Sequence, residues 1–236
     1  MLQAVLFDMD GTLLPMEQDV FAKAYFSTLA EKVAPCGYEP KKLIESVWAG
    51  TAAMVANDST HTNETVFWKT FAGIFGEKAY ADIPAFDEYY RTDFQALKDR
   101  CGFIPAVGET IRALKASGLP LVLASNPVFP MFAQQTRMRW AGVDPTDFVM
   151  ITAYENMHRC KPNPAYYTEI AERLSLNPAN CLMVGNDVRE DMVAASAAGM
   201  QVFLIEGCVL NKDNQDISGY PKGTFADLLQ FVKKMQ

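Results

Sequence analysis

Two aspartates separated by one residue stand near the start of the 236-residue chain, directly after a short apolar run. They are Asp8 and Asp10, and Gly11 and Thr12 follow them. The apolar run indicates a strand buried on both faces, and residues two apart on a strand point to the same side. Carboxylates this close are costly unless a cation or a proton lies between them. The stretch therefore predicts a site of chemistry, with an ordinary strand-to-turn junction as the alternative.

Further polar side chains follow other predicted strands or precede predicted helices. These are Ser125 and Asn126 after residues 121–124, Lys161 before Pro162, and Asn186, Asp187 and Asp191 after residues 182–185. Each alone has an ordinary interpretation as a turn, a surface lysine or an acid in a first helical turn. Ligands of open parallel sheets, however, bind at the carboxyl ends of the strands, where this set converges. The convergence favours one functional site over several unrelated turns.

The residue types in this set have a clear chemical meaning. The carboxylates of Asp8, Asp10 and Asp187, without a histidine, describe a hard oxygen-ligand site, which suits Mg2+ better than zinc. A hydroxyl, an amide and a lysine opposite a metal are suited to holding phosphoryl oxygens. A carboxylate that is held by a metal and faces phosphorus is a competent nucleophile. The set therefore predicts phosphoryl chemistry.

The elements that must position these residues form two blocks. Residues 15–101 are rich in aromatic residues and predict helices over 20–33, 40–55, 63–75 with an N-cap at Thr62, and 84–97. From residue 101 predicted strands (119–124, 148–152, 181–184, 201–205) alternate with helices (108–117, 131–140, 164–174, 190–198, 225–235). The alternation predicts an α/β fold with a doubly wound parallel sheet, which strand 3–7 joins from across an all-helical insert. We expect a core of residues 1–14 and 102–236 and a helical domain of residues 15–101.

Composition limits the classes of partner. The net charge is −7 and Lys and Arg are scattered, which argues against nucleic acid and against an anionic membrane surface. Five widely spaced cysteines and two histidines, His61 and His158, make a zinc site improbable and indicate free thiols in a reducing compartment. The start of the chain is a poor signal peptide and no apolar run has membrane-spanning length, so we expect a cytoplasmic protein.

The four polar segments resemble, in order and spacing, the motifs of the haloacid dehalogenase superfamily. Residues 8–12 resemble its first motif, Ser125 its second, Lys161 its third, and Gly185, Asn186 and Asp187 with Asp191 its fourth. The resemblance covers residues 1–14 and about 102–205. The helical insert resembles the type 1 cap domain of that family.

The resemblance implies roles for individual residues. Asp8 would attack phosphorus and form an aspartyl-phosphate, and Asp10 would act as general acid and then general base. The carboxylates of Asp8 and Asp187 and the main-chain carbonyl of Asp10 would bind Mg2+. The transferring phosphoryl group would be held by Ser125 and Lys161, with Asn126 and Thr12 as further candidates for phosphate binding. Asp191 and Asn186 would orient this network.

The fourth motif departs from the common pattern, because Asn186 stands between Gly185 and Asp187. Counting back four residues from Asp191 selects Asp187 as the metal ligand, whereas counting back five selects Asn186. A dication is bound more strongly by a second carboxylate than by an amide, which favours Asp187.

Asp10 also separates reaction classes, because the dehalogenases and phosphonatases of the family lack an acid at this position. It indicates a phosphatase that acts on a small-molecule phosphate ester. A phosphomutase is the first alternative, although those enzymes often carry valine where Thr12 stands.

The second alternative is a non-catalytic protein whose cap aromatics form a contact surface. Those aromatics are Trp48, Trp68, Phe71, Tyr89 and Tyr90. Packing of the small helical cap is the more ordinary role for them. The polar cap residues that could contact a leaving group are Glu17, His61, Lys69 and Arg91, each of which is more simply explained as solvated. The sequence specifies neither the physiological substrate nor the oligomeric state.

Overall fold

A computed structural model describes residues 1–235 and places a six-stranded parallel sheet at the centre of that part of the chain. The strands are β1 (Ala4–Phe7), β2 (Leu121–Leu123), β3 (Met150–Ile151), β4 (Cys181–Gly185), β5 (Gln201–Ile205) and β6 (Lys222–Gly223). Their spatial order is β3-β2-β1-β4-β5-β6, and every pairing is parallel. The first strand of the chain therefore joins the sheet, as predicted, and lies in the middle of it.

Helices cover both faces of this sheet and form the insert. The insert contains α1 (Gln18–Val33), α2 (Pro40–Val55), α3 (Asn63–Phe75), α4 (Lys78–Arg91) and a 3-10 helix (Asp93–Arg100). The core contains α5 (Pro105–Ala116), α6 (Met131–Trp140), α7 (Pro164–Arg173), α8 (Ala194–Ala197) and α9 (Phe225–Lys233). A π-helical segment, Val188–Val193, leads into α8. None of the helices within residues 1–235 combines the length and the apolar character that a membrane span requires.

The strand β1 is buried on both faces because its side chains alternate between two apolar cores. Val5 and Phe7 belong to the core that extends into the helical insert, whereas Ala4 and Leu6 belong to the core beneath α7 and α8. Removal of apolar surface from water on both faces stabilises the sheet by about 25 cal/mol per Å². The fold is thus the expected doubly wound α/β core with an inserted helical cap.

The two chain crossings between core and insert lie side by side. Met16 and Cys101 form an antiparallel bridge, and the amide of Gly102 donates to the carbonyl of Pro15 over 2.7 Å. The insert also packs on the core through rings, because Phe94 stacks on Trp140 with centroids 5.2 Å apart. These contacts occur at the two places where the sequence suggested domain boundaries, which remain a prediction.

Several sequence predictions were wrong in detail. Pro84 lies inside α4 instead of starting a helix, and the predicted helix over 84–97 is divided between the end of α4 and the 3-10 helix. The strand β6 was not predicted, because two paired residues give no alternating pattern. Trp48, for which packing of the cap was the more ordinary expectation, is 55% exposed.

Candidate active site

A buried lysine links the first and fourth predicted motifs. The Nζ of Lys161 lies 2.8 Å from Asp8 Oδ1 and 2.6 Å from Asp191 Oδ1. The other oxygen of Asp191 accepts the main-chain N–H groups of Asn186 and Asp187 over 3.1 and 3.0 Å. Since Asp8 follows β1 and Asn186 follows the adjacent β4, these contacts fix the carboxyl ends of both strands around one ammonium group.

Burial and charge together hold Lys161 as a cation. Burial by itself lowers the pKa of Lys161, but the charges of Asp191 and Asp8 outweigh it and raise the pKa well above its ordinary value. Burial raises the pKa of Asp191, and the charge of Lys161 opposes that change. Glu190 is half-buried at this edge, and burial raises its pKa. Two carboxylates, those of Asp8 and Asp191, thus contact one buried ammonium, and Glu190 lies at the same edge.

The turn after β1 packs directly against the fourth motif. Gly11 has a φ of +88°, and a Cβ atom there would lie 2.3 Å from Nδ2 of Asn186, so only glycine fits. The hydroxyl of Thr12 donates to Asn186 Oδ1 over 2.9 Å, and Asn186 Nδ2 donates to the carbonyl of Cys208 over 2.7 Å. The hydroxyl of Thr12, a candidate for phosphate binding, is therefore engaged with Asn186.

Asp187 caps the π-helical segment with one of its two carboxylate oxygens. Its Oδ1 accepts the N–H groups of Arg189 and Glu190 over 2.9 and 2.8 Å, whereas its Oδ2 accepts no hydrogen bond from residues 1–235. The amide of Asn186, in contrast, is engaged at both ends. This difference favours Asp187 over Asn186 as a metal ligand.

The donor set fits a hard dication. Within the described residues there is no group of three or more His, Cys, Asp or Glu side chains arranged to hold a metal ion. The predicted set needs only two such side chains, Asp8 and Asp187, because its third donor is the main-chain carbonyl of Asp10. Oxygen donors and an excess of carboxylates at one edge are what Mg2+ requires.

Ser125 and Asn126 lie at the same edge, after β2. The carbonyl of Ser125 accepts hydrogen bonds from the hydroxyls of Thr152 and Tyr166 over 2.7 and 2.8 Å. These bonds fix the loop, while the Ser125 hydroxyl itself makes no hydrogen bond within residues 1–235. Asn126 Nδ2 lies 3.3 Å from Glu190 Oε2, and its buried Oδ1 has no partner among the described residues.

Sequence reasoning missed the partner of Asp10. Arg137 of α6 is completely buried, and its Nη1 lies 2.5 Å from Asp10 Oδ2. The same guanidinium donates to Gln134 and lies 4.4 Å above the ring of Phe129. Burial raises the pKa of Asp10, the charge of Arg137 opposes this, and the charge of Asp8 adds to it. The i, i+3 spacing of Gln134 and Arg137 was the one weak signal, because in sequence Arg137 looks like the exposed Arg139.

The cap residues fall into two groups. Trp68, Phe71 and Tyr89 are buried, so these aromatics pack the cap instead of forming a contact surface. The four polar candidates for contact with the leaving group, Glu17, His61, Lys69 and Arg91, are all exposed.

Comparison with known proteins identifies the family of this chain. Residues 2–199 match the family model described as haloacid dehalogenase-like hydrolase, and the chain belongs to that family. A phosphoglycolate phosphatase of Shigella dysenteriae is 30% identical over 210 residues, which cover 84% of this chain and 79% of the relative. The chain is therefore a phosphatase of this family, as the motifs predicted.

Solved structures show the same fold. A 2-haloacid dehalogenase from Pseudomonas syringae superposes with a TM-score of 0.66 at 18% identity, with all of both chains covered. A protein described as a predicted phosphoglycolate phosphatase from Haemophilus somnus gives a TM-score of 0.59 at 20% identity, with 98% of each chain covered. At these identities the likeness shows the fold, and the choice of reaction depends on the site.

Proposed function

We propose that this protein is a Mg2+-dependent phosphatase that hydrolyses a small-molecule phosphate monoester through an aspartyl-phosphate on Asp8. The observation that carries the proposal is the contact of Lys161 with both Asp8 and Asp191 at the ends of β1 and β4. It supports a fixed, charged nucleophile at the edge where ligands of parallel sheets bind. The relatives described as phosphoglycolate phosphatases support a phosphate ester as the substrate.

The proposed reaction has two steps, transfer of the phosphoryl group to Asp8 and hydrolysis of the aspartyl-phosphate. Asp8 Oδ1 accepts a hydrogen bond from Lys161, so Oδ2 is the oxygen that attacks phosphorus. The P–O bond to the alcohol breaks as Asp10 gives the alkoxide a proton. Asp10 then takes a proton from water, whose oxygen attacks phosphorus and releases inorganic phosphate and the free Asp8 carboxylate. Lys161 and the Ser125 hydroxyl hold the phosphoryl oxygens during both steps.

Mg2+ would be bound by the carboxylates of Asp8 and Asp187 and by the main-chain carbonyl of Asp10. When bound, it supplies positive charge that offsets the phosphoryl oxygens and the acidic edge. Asp191 does not bind substrate in this scheme. It positions Lys161 through its side chain and the fourth motif through its two main-chain hydrogen bonds. The cytoplasm remains the predicted location of this reaction.

Phosphate release tests the proposal. The purified protein with Mg2+ is expected to release phosphate from at least one member of a panel that includes phosphoglycolate, sugar phosphates and benzyl phosphate. EDTA should stop the reaction, and Asp8→Asn should abolish it because an amide does not attack phosphorus. Asp99→Asn removes an exposed carboxylate of the cap and serves as the matched control with unchanged activity. Undiminished turnover by a folded Asp8→Asn protein would remove Asp8 as the nucleophile.

A further inference from the structure

A cavity of about 240 Å³ lies between the cap and the core, and Asp10 is part of its wall. Helices α1 to α4 and the loop before α6 contribute mainly aromatic and aliphatic side chains to this wall, among them Phe21, Val47, Trp68 and Phe129. Because Asp10 is the proposed acid for the leaving alcohol, the leaving group has to occupy the space beside it. The chemistry of this wall therefore decides which alcohol fits.

Several polar atoms of the wall are paired, while Nε1 of Trp68 and Oδ1 of Asp10 are buried without a hydrogen-bond partner among the described residues. The hydroxyls of Tyr25 and Tyr90 share a hydrogen bond of 2.8 Å, and the Thr51 hydroxyl donates to the carbonyl of Val47 over 2.9 Å. No Lys, Arg or His among the described residues lines the cavity. The nearby Arg137 directs its guanidinium to Asp10 and Gln134. The wall thus offers an anionic group no positive charge.

An anionic leaving group is disfavoured by this arrangement. The carboxylate of phosphoglycolate would leave water for an apolar wall without a cationic partner. An uncharged apolar alcohol would instead bury its carbon atoms against the surrounding rings. A dry apolar cavity of ~150 Å³ holds one benzene-sized molecule. The larger cavity here has room for a substituted or bicyclic ring.

Trp48 explains how such a group would enter. Its indole is 55% exposed, it lines the cavity, and it packs on Phe26 with centroids 5.5 Å apart. Placed at the open side of an apolar cavity, the indole is suited to stack on an entering ring.

We propose that this cavity is the leaving-group subsite and that the substrates are phosphate monoesters of uncharged, apolar alcohols that carry a ring. The proposal rests on the proposed function, because it requires turnover at Asp8. It names a substrate class different from the one given in the names of the phosphoglycolate phosphatases. It also assigns a role to Trp48, Trp68 and Phe129, whose aromatic side chains all line this cavity.

The test compares phosphate esters of primary alcohols, so that the basicity of the leaving group changes little. Values of kcat/KM are measured for benzyl phosphate, naphthylmethyl phosphate, ethyl phosphate and phosphoglycolate with the full-length protein and Mg2+. We expect kcat/KM for benzyl phosphate to be at least tenfold higher than for ethyl phosphate. We expect it to be about a hundredfold or more higher than for phosphoglycolate, in line with the discrimination that apolar pockets achieve. Quenching of tryptophan fluorescence by naphthylmethanol, with Trp48 and Trp68 in the wall, gives a second readout of binding.

Two variants connect the preference to the cavity. Val47→Phe fills the cavity and should lower kcat/KM for the benzyl ester about tenfold while leaving the ethyl ester unchanged. Val20→Phe adds the same ring on an exposed position of α1 that does not line the cavity, and is the matched control. If Val47→Phe fails to fold, Thr51→Lys is the second variant. It places a cation in the wall and should reduce the ratio of kcat/KM for benzyl phosphate to kcat/KM for phosphoglycolate.

The outcomes separate the two proposals. Equal kcat/KM across the four esters, or a preference for phosphoglycolate, overturns the apolar subsite and leaves the proposed phosphatase function in place. A benzyl preference that Val47→Phe or Thr51→Lys does not change also overturns the subsite, because the preference then arises elsewhere. Absence of phosphate release from any ester overturns the proposed function and, with it, the leaving-group role of the cavity.

Discussion

At the scale of residues, each aspartate of the first motif has its own buried cation. Lys161 contacts Asp8 and Arg137 contacts Asp10, and both cations are inaccessible to solvent. This pairing separates the proposed nucleophile from the proposed acid, because the two carboxylates lie in different electrostatic surroundings. The first pair was predictable from motif order. The second was not, because no local pattern distinguishes Arg137 from Arg139 two residues later.

Removal of Arg137 should affect catalysis and stability together. Arg137→Met leaves the Asp10 carboxylate without its cation, and we expect the free energy of unfolding to fall by about 3 kcal/mol. Release of Asp10 from its fixed position should lower kcat about a hundredfold, because misplacement of a catalytic group by ~1 Å has that effect. Chemical denaturation and kcat measured on the same samples check both values.

Arg139→Met is the control for this change, since Arg139 is exposed on the same helix and its loss should alter stability by less than about 0.5 kcal/mol. Arg137→Lys keeps the charge and should recover part of kcat, which a purely structural role would not require. Normal kcat in a folded Arg137→Met protein would contradict a positioning role for Arg137.

At the scale of elements, the sequence predicted where most helices and strands lie, and failed where tertiary packing overrides local signals. Strands β1, β4 and β5 were recognisable as apolar runs, and the capping signal at Thr62 correctly marked the start of α3. Pro84 was misleading because α4 continues across it. Gly50, a residue of low helix propensity, lies inside the continuous helix α2, where the absence of a side chain lets the ring of Phe67 approach.

Two helical glycines should respond in opposite directions to the same substitution. A Cβ on Gly50 would lie 2.5 Å from Phe67 Cδ2, and that ring is confined by Trp68 and Phe71. Gly50→Ala should therefore destabilise the protein by about 1–2 kcal/mol despite the better helix propensity of alanine. Gly73 of α3 is exposed and has open space around its Cβ position, so Gly73→Ala should stabilise by up to about 1 kcal/mol. Equal responses in denaturant unfolding would contradict close packing of α2 on α3.

At the scale of the whole molecule, the site exists only because distant parts of the chain meet. Asp10 and Arg137 are 127 residues apart, and Lys161 and Asp8 are 153 apart. The sheet order explains why the motif residues converge, since β1 lies between β2 and β4. The cavity wall combines four cap helices with a core loop, and no periodicity within one segment encodes that combination. Motif residues were therefore predictable from the sequence, whereas the leaving-group environment required the assembled structure.

The acidic edge should also make the stability of the whole protein depend on Mg2+. Asp8 and Asp191 both contact Lys161, and Asp187 and Glu190 add further carboxylates at this edge, so a bound dication offsets their repulsion only in the folded state. Mg2+ at about a hundred times its Kd should add ~2.7 kcal/mol to the free energy of unfolding. For a chain of this size each kcal/mol raises Tm by roughly 2–4 °C, so thermal unfolding with and without EDTA measures the effect.

Asp187→Asn distinguishes the two candidate ligands of the fourth motif. It keeps an oxygen that can cap the π-helical segment, as Asp187 Oδ1 does now, but removes the charge. We expect the Mg2+-dependent rise in Tm to shrink by more than half, because the donor set then contains one carboxylate instead of two and holds a dication more weakly. Asp99→Asn removes an equal charge from the helical insert and should retain the full Mg2+-dependent rise in Tm. For the wild-type protein, the rise should also persist when Tm in Mg2+ is compared with Tm in KCl of the same ionic strength. An unchanged rise in Asp187→Asn would assign the metal to other donors, with Asn186 as the next to be replaced.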